Sequence, residues 1–272
     1  MTHPSHVIAA PELARLIGRA DCPPIFDVRR AQAFDAAPRL IAGARWRDHA
    51  RLDDWASECA GPVVLYCVHG HQVSQAATAR LRARGIDAHY LEGGYDAFAA
   101  AGGTTIARPD AVPELARATT RWITRERPKV DRLACPWFVR RFVDRDAEIL
   151  YVEADWVREA ATEAGAIPFD IPDTAFSHSG ELCSFDAFMD AFGIEDSALW
   201  RLALVVRGAD TARPELAPQC GGLLAMSLGL SSAFADDHVT LSHAMVLYDA
   251  LYAWARNAAD ETHNWPAGNA VQ

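Results

Sequence analysis

The stretch Tyr66-Cys67-Val68-His69-Gly70-His71-Gln72-Val73-Ser74-Gln75 carries the best-defined chemistry in the chain. A cysteine attacks as its thiolate, so whatever stabilises the anion makes it reactive. Ahead of it, Pro62-Val63-Val64-Leu65-Tyr66 is short, apolar and β-branched, the composition of a buried strand. Behind it, Ser74 to Arg84 is rich in alanine, with Leu81 and several arginines, and predicts a helix. Cys67 therefore stands where a strand ends, and Val68, His69, Gly70, His71, Gln72 and Val73 lead into a helix N-terminus. The free N–H groups and positive dipole end of such a helix favour an anion. A loop curled over the sulfur would add a nest of amides that favours thiolate over thiol. His69 and His71 add donors or positive charge. This is the pattern of a nucleophilic cysteine facing an anionic substrate; the competing reading is a structural cysteine buried at a strand end.

The surrounding elements must hold that loop. Ala10 to Gly18 predicts a short helix, with Leu13, Leu16 and Ile17 at helical spacing and a glycine stop. Pro24-Ile25-Phe26-Asp27-Val28-Arg29 reads as a buried strand ending in charge, Ala31 to Ala36 as a helical turn, and Gly43-Ala44-Arg45-Trp46 as a short extended piece. Leu52 to Cys59 reads as helix and Ala88-His89-Tyr90-Leu91 as strand. Glu92-Gly93-Gly94-Tyr95 then turns the chain into a last helix, Asp96 to Ala101, closed by Gly102-Gly103. Strands alternating with helices at this spacing imply a parallel α/β sheet.

Asp27-Val28-Arg29, Gly43-Ala44, the Cys67 loop and Leu91-Glu92-Gly93-Gly94-Tyr95, with Phe98 and Gly102, resemble the successive signatures of a rhodanese domain over nearly all of residues 5–103. The resemblance implies a rhodanese-like fold and sulfurtransferase chemistry. The thiolate of Cys67 takes a sulfane sulfur from a small anionic donor such as thiosulfate, holds it as a persulfide and passes it to a thiol acceptor. The amides of Val68 to Val73 would bind the anion and the persulfide, with Asp27 and Arg29 as supporting residues or as a structural ion pair. Two departures stand out. The loop holds neither Arg nor Lys. Related phosphatases and arsenate reductases need an Arg six positions after the cysteine to clamp a tetrahedral oxyanion, and Val73 occupies that place. The Cys-x-His-Gly start still resembles small single-domain sulfurtransferases, and a persulfide-carrying protein as donor fits this loop.

Beyond it, Thr104 to Ala118, with Pro109 and Pro113, reads as a linker with a short helix near Glu114. Arg121 to Arg125 and Glu148 to Val152 predict strands, and Pro136 fits the first turn of a helix. Residues 155–163, 185–192, 197–207, 214–229 and 236–256 predict helices, so this half is mostly helical with a small sheet. Asp131 to Asp144, Pro168-Phe169-Asp170, Phe176-Ser177-His178, Cys183-Ser184-Phe185, Val205 to Thr211, Tyr248 to Tyr252 and Glu261 to Trp265 together resemble the C-terminal domain of ChrB-type chromate-resistance proteins. That resemblance implies a link to chromate or oxidative stress. ChrB-type regulators usually carry a DNA-binding N-terminal half, and here a sulfurtransferase-like domain stands in its place.

Two candidate sites lie in this half. Arg132, Arg140 and Arg141 form either an anion pocket or a solvated basic helix face. Glu153, Asp170, His178, Asp210, His243, Asp249 and His263 offer oxygen and imidazole ligands suited to iron, manganese or zinc, or a scattered solvated set, since none shows a ligand spacing such as HExxH. His238 and Asp249, eleven apart, fall on one helix face. Trp137, Phe138, Phe142, Leu247, Tyr248 and Leu251 are expected in the core.

Composition bounds the whole. The chain has 272 residues, 50% of them apolar, enough to bury a core in two modest domains. The expected division is a parallel-sheet α/β domain over residues 1–105, a linker over 106–119, a mostly helical α+β domain over 120–266 and a tail over 267–272. No apolar run approaches the roughly 20 residues of a spanning helix, and the N-terminus lacks the form of a secretory signal. Six scattered cysteines without a CxxC point to a reducing, cytoplasmic setting. A net charge of −10 argues against a nucleic-acid partner. The charge is uneven: residues 1–105 hold 11 basic and 11 acidic side chains, and 106–272 hold 15 and 25. Such asymmetry suggests two units with separate duties; a homodimer is compatible with it. The reading is a sulfurtransferase coupled to detoxification, with a non-catalytic chromate, metal or redox sensor as the alternative.

Overall fold

The computed structural model describes residues 6–59 and 61–261. Five parallel strands form the first sheet: β1 (Val7–Ile8), β2 (Ile25–Asp27), β4 (Ala44–Trp46), β5 (Val63–Tyr66) and β6 (Ala88–Leu91), in the order β1-β6-β5-β2-β4. Strand β3 (Arg39–Ile41) lies outside it. Central β5 is buried at every residue, as a strand covered on both faces must be. Alternation along it divides the cover. Val63 and Leu65 pack with Phe26, Trp55 and Leu81, whereas Val64 and Tyr66 pack with Ile25, Leu13 and Phe98.

Helices α1 (Ala10–Leu16), α2 (Ala31–Asp35), α3 (Leu52–Trp55), α4 (Gln72–Arg82) and α5 (Gly94–Ala100) connect these strands. Helix α4 buries Ser74, Ala77, Thr78 and Leu81, one stripe at helical spacing. The pairing of Asp27 with Tyr66 ends the β2–β5 ladder, so Cys67 leaves the sheet at the carboxyl end of its central strand. Crevices at such strand ends are where open α/β sheets hold ligands.

Thr105–Ala107, at the head of the expected linker, forms β7 and pairs antiparallel with β3 in the register Arg39↔Ala107 and Leu40↔Ile106. Three-residue strands carry too little periodicity to be read from sequence. The second sheet is parallel, in the order β10-β8-β9, from β8 (Arg121–Arg125), β9 (Glu148–Val152) and β10 (Ile167–Pro168). Around it lie α6 (Asp131–Phe138), α7 (Val157–Ala164), α8 (Ser184–Ala191), α9 (Ser197–Asp210), α10 (Cys220–Ala233) and α11 (Asp237–Asn257). Three expectations need correction, the first being the short helix near Glu114, where residues 113–117 form turns instead. Pro136 sits inside α6 rather than in its first turn, because the helix already begins at Asp131. The predicted helix over 214–229 begins only at Cys220, after a short 3₁₀ turn at Pro214–Leu216.

Past α6 the helix widens into a π turn over Val139–Val143, and the carbonyl of Phe142 accepts the N–H of Gly43 from the first half at 2.6 Å. A Cβ on Gly18 (φ +80°) would strike the Phe142 ring at 2.4 Å. Trp137, Phe138, Phe142, Tyr248 and Tyr252 belong to the same continuous core as Leu13, Ile17, Tyr66 and Phe98. The two halves therefore share one apolar interior. No helix among the described residues is long and apolar enough to cross a membrane.

Candidate functional site

The loop after β5 closes on itself. Cys67 Sγ lies 3.2 Å from Ser74 Oγ, so the first residue of the loop touches the first turn of α4. Among the described residues, none of the N–H groups from Val68 to Ser74 reaches an acceptor. The carbonyls at the loop's start are taken instead: Tyr95 N–H donates to Cys67 O at 2.9 Å and Asp96 N–H to Val68 O at 3.1 Å. Those two bonds turn the carbonyls of the first two loop residues toward α5.

Backbone meets backbone underneath. A Cβ on Gly94 (φ +61°) would lie 2.4 Å from Cys67 O and from Gly70 N; one on Gly70 (φ +68°) would lie 2.6 Å from Leu91 O. Only glycine fits either place. Cys67 itself is 6% exposed and sits beneath the loop, while His69 and His71 stand exposed at its mouth with rings 5.8 Å apart. His69 Nδ1 is held 2.9 Å from the Asp96 carboxylate.

Asp27 and Arg29 lie under this loop rather than in it. The guanidinium Nε donates to both carboxylate oxygens at 2.9 Å, and Tyr66 OH donates to Asp27 Oδ2 at 2.8 Å. Both side chains are buried, and the Arg29 guanidinium stacks over the rings of Tyr66 and Tyr95. The buried pair thus braces Tyr66 and Tyr95, the residues that flank Cys67 and Gly94.

A second cluster forms in the other half. His178 Nε2 lies 3.1 Å from Asp131 Oδ2, 3.4 Å from Asp170 Oδ1 and 3.3 Å from Asp210 Oδ2. Asp131 opens α6, Asp170 follows β10 and Asp210 ends α9. The backbone is strained at two of these places, with φ +32° at Val130, the residue before Asp131, and +54° at Asp170. Asp131 and Asp170 are buried, and Ser184 supports both: its N–H donates to Asp131 and its hydroxyl to Asp170. Arg125 and Arg132 hold Asp170 Oδ2 from the opposite side, at 2.6 and 3.2 Å. Burial, with Asp131 alongside, pushes the Asp210 carboxyl up to about 7, and burial raises Asp170 as well. The hydrogen bond to Asp131 raises His178 to about 9. The group faces a cavity of about 310 Å³ that Arg125, Lys129 and Arg132 also line.

Residues 9–101 match the family model described as Rhodanese-like domain, and residues 122–255 match ChrB, C-terminal domain. The chain joins a rhodanese-like domain to a ChrB C-terminal domain. It is 33% identical over 132 residues to Protein ChrB of Cupriavidus metallidurans, a match covering 48% of this chain and 39% of that protein's length. Among solved structures it is similar to a thiosulfate sulfurtransferase from Pseudomonas aeruginosa (28% identity, 38% of this chain, 19% of that one, TM-score 0.31). It is also similar to a rhodanese-related protein from Thermoplasma volcanium (21% identity, 38% and 99%, TM-score 0.33).

In the rhodanese-like domain the expected loop residues are contiguous around Cys67. Ser74 and Asp96, which contact Cys67 and His69, went unread; position in the first turn of α4 was the available signal for Ser74. In the ChrB C-terminal domain Asp170, His178, Asp210 and Arg132 come together, and Asp131 joins them although sequence reasoning missed it as a site residue. Several expected members do not. Asp249 is taken by Arg141 and by Trp137 Nε1, each at 2.8 Å. Arg140 donates to Ala147 O, so Arg132, Arg140 and Arg141 point to three different acceptors and form no common anion pocket. His243 stacks on Phe234 and His238 packs edge-on against Tyr151, away from Asp249. Glu153 stands just before a 3₁₀ turn outside the cluster, and His263 lies outside the described residues.

Proposed function

We propose that the chain is a rhodanese-type sulfurtransferase in which Cys67 carries the transferred sulfur, serving chromate resistance or redox detoxification together with its ChrB C-terminal domain. The closed loop supports this reading: a run of acceptor-free amides from Val68 to Ser74, closed where the Ser74 hydroxyl touches Cys67 Sγ. Such a loop stabilises the negative charge of a persulfide without a basic side chain.

The thiolate of Cys67 attacks the outer sulfur of the donor, and the donor's sulfur–sulfur bond breaks, its electron pair leaving with sulfite when the donor is thiosulfate. An acceptor thiolate then attacks the terminal sulfur of the persulfide and releases the Cys67 thiolate. A mouth of two imidazoles and one carboxylate, His69, His71 and Asp96, offers little net charge to a dianion. It suits a persulfide-bearing thiol donor better than thiosulfate. Sulfur transfer to cyanide from thiosulfate and from a low-molecular-weight persulfide, measured beside Cys67→Ser, tests the assignment. Activity with the persulfide donor above that with thiosulfate, abolished by the substitution, is expected; equal rates in both proteins would refute it.

The second reading, a sensor that reports thiol oxidation without turnover, draws on the burial of Cys67 at 6% exposure. In that case oxidation would consume the thiol, and no sulfane donor would load it.

A further inference from the structure

We propose that Asp131, Asp170 and His178, with Asp210 alongside as an outer partner, bind a divalent first-row transition-metal cation on the floor of the cavity lined by Arg125, Lys129 and Arg132. The site is independent of sulfur transfer at Cys67 and goes beyond it. Its geometry is that of a coordination shell. One imidazole Nε2 carries at most one proton and can donate one hydrogen bond, yet three carboxylate oxygens surround it at 3.1, 3.4 and 3.3 Å. Around a cation held at about 2.0–2.2 Å, neighbouring ligand atoms are about 3.4 Å apart in a tetrahedron and about 3.0 Å in an octahedron. The separations of the Asp131 and Asp170 oxygens from Nε2, 3.1 and 3.4 Å, fall at those edge lengths.

The remaining groups serve such a shell. Asp170 turns Oδ1 toward His178 and gives Oδ2 to Arg125 and Arg132, so its orientation is fixed from outside. Ser184 does the same for Asp131 and Asp170 through its N–H and its hydroxyl. Metal-binding carboxylates characteristically have such outer partners. The ligands come from segments far apart in the chain, and two of them are seated by backbone outside the ordinary regions at Val130 and Asp170. Two carboxylates with one imidazole make a hard-to-borderline donor set, which suits manganese(II), iron(II) or zinc(II) rather than copper(I).

The full-length chain, stripped with a chelator and titrated separately with manganese(II) and zinc(II), tests the assignment by bound-metal analysis after gel filtration. One equivalent of at least one of the two, with a rise in thermal midpoint, is expected. His178→Ala and Asp210→Asn should each weaken binding by about 10- to 100-fold while keeping the native circular dichroism spectrum. Cys67→Ser should bind as the parent does. Retention of neither metal, or undiminished binding in both cluster variants, overturns the proposal. Because His178 is half exposed, its substitution leaves the fold intact even where Asp131 variants would not.

Discussion

Asp27 shows how much of the site rests on groups that never touch it. Its carboxylate is shared by Arg29 and by Tyr66 OH, all three side chains being buried, and Tyr66 is the residue before Cys67. Removing one partner of a buried pair leaves an uncompensated charge and costs about 3–5 kcal/mol. Arg29→Met should therefore lower unfolding stability by about that amount in a denaturant titration. Because the pair presents no group to the loop, the folded fraction should keep its KM for the sulfur donor. A KM raised with unchanged stability would instead make Arg29 a substrate ligand. The sequence announced the pair's charge but not its company, since Tyr66 and Tyr95 meet Arg29 only through the sheet. The same limit hid Asp131. It reads as the first residue of a helix, and only the chain's return at Asp170, His178 and Asp210 turns it into one of four converging groups.

At the scale of elements, the strand–loop–helix unit from Val63 to Arg82 was legible because each piece is local: a β-branched run, a loop with Gly70, then an alanine-rich helix. What the sequence leaves dark is the contact between that loop and α5. The N-terminus of α5 takes the carbonyls of Cys67 and Val68, and Gly94 lets the two backbones approach. Gly94→Ala adds a methyl where Cys67 O and Gly70 N already stand and imposes a left-handed backbone on alanine, which alone costs about 1–2 kcal/mol. The variant should lose more stability than that figure and lose sulfur transfer out of proportion to its unfolded fraction. Stability loss alone, with full turnover by the folded protein, would mean that the α5 contact does not shape the loop. The helical half was read mostly by period; its π turn at Val139–Val143 and the interior Pro136 have no periodic signature and emerge from packing of Phe142 against Tyr252 and Trp137.

Over the whole molecule, the two domains read as separate units from charge and motif but share one interior. Gly43 N–H donates to the Phe142 carbonyl, Arg45 pairs with Asp144 at 2.8 Å, and Arg256 on α11 donates to Ile17 O at 3.1 Å. Composition could not reveal this, because an interface built from Leu13, Ile17 and Tyr252 resembles any other core. The rhodanese-like domain is therefore part of a larger body, and the proposed sulfur transfer is tested on the whole 272-residue chain. The most direct measurement is the intact mass of that chain after incubation with a sulfane donor and removal of the excess. A gain of one sulfur atom, absent in Cys67→Ser and reversed by a thiol, is the predicted result; an unchanged mass with every donor, or the same gain in Cys67→Ser, would contradict the account.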